Sequence, residues 1–167
     1  TPPIIYYLFG AKLLIKNGSD SKELPSTVYF SLFRSSKSDY SGYSNDNKTL
    51  LFEYLPNTTN KREFAANTTT PITLTPIYSM AYRYDEIDFS KIEKSGLKLN
   101  ITYHPNFFMD AWKIDKVTLV LEIKDAKGNP HPALNNKEIP FITANKLLTH
   151  DKNTLVMETD GFLMPKN

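Results

Sequence analysis

A chain of 167 residues can bury one core without covalent staples, and ten Tyr, ten Phe and one Trp within a 40% hydrophobic composition exclude disorder over most of its length. The net charge of +2, from 20 basic and 18 acidic residues with no dense Lys/Arg block, leaves no basic stripe on which a nucleic acid could lie. The absence of cysteine excludes disulfides, thiolate chemistry and the usual structural zinc sites.

No apolar run reaches the roughly 18 residues that a membrane-crossing helix needs. The chain opens Thr1-Pro2-Pro3 without Met, which reads as a mature chain trimmed after a leader or a module cut from something longer. Eleven Pro against six Gly suits a β protein with many edges and turns.

Taken in chain order, Tyr6 to Lys16 is an apolar first strand closed by the turn-forming tetrad Asn17-Gly18-Ser19-Asp20. Thr27 to Phe33 alternates, with Val28, Phe30 and Leu32 on one face and Tyr29 and Phe33 on the other, so both faces of this strand are expected to be covered. Ser35 to Asn47 is polar and reads as a long surface loop, because Ser and Asn side chains offer the backbone local alternatives to ladder bonds. Leu50 to Leu55 is a strand stopped by Pro56, and Ile72 to Leu74 begins another between Pro71 and Pro76. Asn57 to Asn60 and Ala66 to Thr70 are turns. Asp88 to Ser95 has the makings of one short helix, with Asp88 as N-cap and Gly96 ending it.

The clearest signals follow. Leu97, Leu99, Ile101 and Tyr103 alternate with Lys98, Asn100 and Thr102, and Val117, Leu119, Leu121 and Ile123 alternate in the same way. Period two with one wet face is the mark of a strand on an antiparallel sheet. Asp125 to Pro130 is a turn, and the tail from Glu138 to Met164 carries short apolar runs with room for two more strands. No internal repeat and no linker interrupts the chain, so residues 1–167 are expected to form one soluble domain. Short strands at intervals of about ten residues predict an all-β, antiparallel β-sandwich of about eight strands with at most one short helix.

The strand Leu97 to His104, the connection Pro105 to Ile114 with its Asp110-Ala111-Trp112 element, and the strand Val117 to Ile123 together resemble the PLAT family. These are C2-like β-sandwich modules found in lipoxygenases, lipases and the C-terminal part of clostridial phospholipase C toxins. The first strand, the Asn17-to-Glu23 loop and the strand Val28 to Phe33 resemble the family's opening hairpin, and the likeness covers about two thirds of the chain. It implies a calcium ion as cofactor, shared by Asn17, Asp20 and Asp110 if their loops meet at one end, since calcium takes six to eight oxygens. The family's acidic first loop is thin here, with Asp20 and Glu23 alone, so solvated surface carboxylates are the alternative.

Three candidate features carry the functional reading. Phe107-Phe108-Met109 places three large apolar residues where a loop is expected, as exposed contact tips do; the alternative is that they fold back over the core. Trp112 is expected in the core, with a place in the contact surface as its alternative, and Tyr40 and Tyr43 extend the candidate surface from the long loop. The three histidines, His104, His131 and His150, are far apart, and no zinc-protease, nucleophile-elbow or phosphate-loop motif occurs, so no catalytic residues are expected.

The expected function is a non-catalytic binding domain of an exported or surface-exposed bacterial protein, extracytoplasmic, holding a membrane surface or a protein partner through loops at one end. The alternatives are a structural subunit or lipoprotein of an envelope or secretion assembly, and a carbohydrate-binding module using Tyr29 and Phe33 on one sheet face.

Overall fold

A computed structural model describes residues 2–23, 26–35, 50–55, 62–77, 87–141, 146–161 and 163–165. The expected turn at 57–60 and residues 36–47 of the expected long loop, with Tyr40 and Tyr43, lie outside the described residues.

Among the described residues the chain forms nine strands and one helix: β1 (Tyr6–Asn17), β2 (Thr27–Arg34), β3 (Leu50–Tyr54), β4 (Thr69–Pro76), α1 (Phe89–Ser95), β5 (Leu97–His104), β6 (Ala111–Asp125), β7 (Glu138–Phe141), β8 (Lys146–Thr149) and β9 (Thr154–Glu158). The fold is all-β and antiparallel with a single short helix, as the alternation predicts, and the tail supplies three strands rather than two. The strands run as one sheet in the order β7-β6-β1-β4-β3-β2-β5-β9, with β8 beside β7 on the same edge of β6. Since β8 and β9 are joined by the short turn 150–153 yet pair at opposite ends of this path, the sheet nearly closes on itself. Strand β4 makes the passage between its two halves. Thr69 to Leu74 align with β1, and Thr75 and Pro76 with β3.

A proline inside β4 is tolerated for a geometric reason. The Asn17 N–H donates to the Thr68 carbonyl at 2.8 Å, which makes Ile15/Thr70 and Leu13/Ile72 the hydrogen-bonded pairs and leaves Leu14/Pro71 between them. The missing N–H of Pro71 therefore removes no rung from the β1–β4 ladder.

The inward side chains of β1, β2, β5 and β6 meet in one core. Leu13, Ile15, Phe30, Leu32, Leu99, Ile101, Leu119 and Leu121 are each 0% exposed. On the outer face of β2, Tyr29 packs edge-on to His104, and Phe33 is buried beneath the Lys98 ammonium, 5.0 Å from its centroid. The outer face of that strand is half-buried, with Phe33 the one buried residue on it, so Tyr29 and Phe33 form no open aromatic platform.

Helix α1 is capped as its sequence predicts. The Asp88 carboxylate accepts from the Ser90 N–H at 2.9 Å, and the Gly96 N–H donates to the Ile92 carbonyl at 2.7 Å. Gly96 has φ 78°, and a side-chain carbon there would collide with the Thr159 carbonyl, so glycine is required for both backbone angle and space. Gly96→Ala is expected to cost at least about 1–3 kcal/mol, lowering the thermal midpoint by several degrees in a calorimetric scan.

Candidate functional site

The connection between β5 and β6 is a six-residue turn over 105–110, and Asp110 fixes its shape. Its carboxylate accepts from the Asn106 N–H at 3.0 Å, and its own N–H donates to the Phe107 carbonyl at 3.0 Å. Asp110 is itself buried, so the turn is pinned from below rather than solvated. The three residues it holds up point outward: Phe107 is 51% exposed, Phe108 74% and Met109 71%. The alternative that these side chains cover the core is not what the fold does with them.

Beneath the turn lies a buried polar and aromatic assembly. Strand β6 starts at Ala111, so Trp112 is a strand residue directed into the core, opposite Leu148 of β8. Its indole N–H donates to Asn17 Oδ1 at 2.9 Å, and the Asn17 amide donates in turn to the Thr68 carbonyl at 3.0 Å and the Thr70 hydroxyl at 2.9 Å. One carboxamide thus ties the end of β1 to the starts of β4 and β6. The indole meets Phe64 at 5.4 Å and Tyr103 at 5.8 Å between centroids. Phe64 also faces the Lys22 ammonium at 5.2 Å and the Arg62 guanidinium at 5.5 Å.

Lys22 is 2% exposed, a rare place for an ammonium. It is satisfied by carbonyl oxygens, donating to Ser26 at 2.7 Å, Arg62 at 2.6 Å and Glu23 at 3.1 Å. The loop after β1 is thereby clamped to the segment before β4. Nothing in the sequence around Lys22 marks it, because its acceptors come from as far as Arg62; Phe64 and the acceptor role of Asn17 are equally silent there.

The sequence-predicted site is therefore only partly assembled. Phe107, Phe108 and Met109 form one open tip, while Trp112, 0% exposed, supports that tip from within and has no surface to offer a partner. The expected calcium ligands each have other contacts. The Asn17 oxygen is occupied by the indole, Asp110 is engaged with its own turn, and Asp20 is an exposed residue whose carbonyl accepts from the Lys113 N–H at 2.9 Å. Among the described residues, no group of three or more His, Cys, Asp or Glu is arranged to hold a metal ion. The histidines stay apart: His131 Nδ1 accepts from the Ala133 and Leu134 N–H groups at 3.1 Å each, and His150 lies 3.3 Å from Asp151.

Tyr103 is the second ring under the tip. Burial raises its phenol above the ordinary value, the Ser26 hydroxyl opposes this, and the carboxylates of Asp110, Glu23 and Asp20 add to the rise. The approach to Ser26 falls short of a hydrogen bond, and the buried Tyr103 oxygen has no partner among the described residues.

No protein-family model matches the chain, and no curated protein matches it.

Asn17→Ala is expected to destabilise the fold by about 3 kcal/mol, since it strands the indole N–H and the Thr70 hydroxyl in the core; chemical denaturation with an unchanged slope checks this. Unfolding frees Tyr103 to ionise at its ordinary pKa near 10 while the folded chain keeps the proton. The neutral phenol's contribution is thus complete below about pH 10 and is lost as pH rises toward the folded value. Tyr103→Phe, which removes a buried hydroxyl with no partner among the described residues, is expected to match or exceed the parent at pH 7 and to resist alkaline unfolding better, read as midpoint against pH.

Proposed function

We propose that this chain is a non-catalytic binding domain that docks through the Phe107-Phe108-Met109 tip, and that the surface it meets is the interfacial region of a membrane. The observation that carries this reading is three consecutive large apolar side chains held open on a turn whose backbone is pinned by a buried aspartate. An exposed apolar tip on a rigid mount retains little entropy to lose on binding, which favours a contact role over a flexible linker.

The size of the tip favours a bilayer over a protein. Three side chains of roughly 200 Å² each, about two thirds exposed, offer on the order of 400 Å², half of the ~800 Å² that one partner contributes to a standard protein interface. A bilayer needs no matching recess, so a small convex knob suits it. At about 25 cal/mol per Å² the gross gain is on the order of 10 kcal/mol, and the loss of overall freedom removes much of that. Reversible, weak attachment is the result.

This reading keeps the likeness of the Asp110-Ala111-Trp112 region to PLAT and C2-like modules as its family context, and an exported or surface-exposed bacterial protein as its setting. No helix among the described residues is long and apolar enough to cross a membrane.

Co-sedimentation with neutral and anionic vesicles tests the proposal. The wild-type chain is expected to pellet with vesicles, and Phe107→Ser/Phe108→Ser to remain in the supernatant with an unchanged melting temperature. Wild type staying soluble with both vesicle types would end the membrane reading. A double variant that loses its fold would assign the rings a structural role instead.

A further inference from the structure

A second site lies on the outer face of the sheet, away from the tip. Strand β1 carries a bulge between Leu8 and Gly10 in its pairing with β6, which brings Gly10 opposite Glu122. With no side chain at Gly10, the Glu122 side chain can lie across the backbone there, and a groove of about 370 Å³ opens beside the two on the outer face. Phe9 and Pro76 supply apolar wall, and Lys12, Thr73, Glu122 and Asn136 bring polar groups to the same hollow. A side-chain carbon built on Gly10 would come within 3.0 Å of Glu122 Oε2, so that oxygen stands over the bare backbone. The other carboxylate oxygen, Oε1, is held 3.0 Å from the Lys124 ammonium, which fixes the direction of the group. Asn136 is fixed too. It takes φ 60°, and its N–H donates to the Leu121 carbonyl at 2.8 Å.

We infer that this groove binds the ring of a neutral saccharide. A pyranose has an apolar C–H face and a rim of hydroxyls, each able to donate and accept. The groove answers both: an aromatic ring and a proline for the face, a carboxylate acceptor, an ammonium donor, a hydroxyl and a carboxamide for the rim. Its volume falls in the range of small-molecule sites. Opposite charges at Lys12 and Glu122, with Glu122 already paired to Lys124, give no strong preference for a simple ion. The open shape and single aromatic wall make this a weak site for one or two sugar units. The inference is independent of the apolar tip, which lies on a different part of the molecule.

Amide NMR titration of the intact chain with methyl glucoside, methyl galactoside and N-acetylglucosamine, and with inorganic phosphate as a charge control, tests it. At least one sugar is expected to shift the amides of Gly10, Lys12, Thr73, Glu122 and Asn136 in a saturable way at millimolar concentration. Gly10→Leu displaces the Glu122 carboxylate and crowds the groove, and since Gly10 is not in the left-handed backbone region its backbone angles suit a side chain. That variant is expected to abolish the shifts. Glu122→Ala, on an exposed position, keeps the sheet intact and is expected to weaken binding at least fivefold should Gly10→Leu fail to fold. The inference is overturned if no sugar perturbs these amides, if phosphate alone does, or if a folded Gly10→Leu or Glu122→Ala binds sugar as the parent does. Phe107→Ser/Phe108→Ser is expected to leave the sugar response unchanged, so the two surfaces stand or fall separately.

Discussion

The hydrogen bond from the Trp112 indole to the Asn17 carboxamide organises the end of the fold that carries the tip. Asn17 sits where β1 leaves the sheet, and its amide group reaches the first residues of β4 as well as the indole on β6. In a core from which water is excluded, a carboxamide with its oxygen and nitrogen both bonded is stabilising, and the same group half-bonded is a defect. The bond therefore selects one arrangement of three strand ends. Trp112 then meets Phe64 edge-on and Tyr103 at a tilt, and the turn above it can be short and fixed.

Clamping of the neighbouring loop follows the same logic. Lys22 buries its ammonium among carbonyls of Glu23, Ser26 and Arg62, which gives all three acceptors a charged donor. Its charge also faces the ring of Phe64, the residue that touches Trp112. Polar groups thus hold the loops of this rim in place from inside, and the side chains left over for solvent at 107–109 are apolar. That inversion, polar within and apolar without, is what distinguishes the tip from an ordinary hairpin turn.

Much of the sheet was readable from alternation. Leu97 to Tyr103 and Val117 to Ile123 face inward at every second residue because each strand has one wet side, and the cap pair Asp88 and Gly96 marked the helix by chemistry that acts over a few residues. Strand β6 was harder at its start. Its inward residues Trp112 and Ile114 are out of phase with Val117 and Leu119, because the ladder slips between Lys16 and Asn17 of β1 and leaves Asp115 and Lys116 both exposed. A strict period of two, counted back from Val117, breaks at that irregularity, and Trp112 reads as a loop residue. The burial of Lys22 and the partner of Asn17 depend on residues 40 and 95 positions away, distances over which local sequence carries no signal. The tip was legible as an apolar triplet; that it stays open depends on Asp110 being spent on its own turn.

Hydroxyl-radical footprinting of the intact chain in solution tests the account most directly, since it reads the tip and its support in one measurement. Rapid modification of Phe107, Phe108 and Met109 alongside protection of Trp112, Tyr103 and Phe64 is the predicted pattern. Protection of 107–109, or labelling of Trp112 at the rate of an open indole, would contradict it.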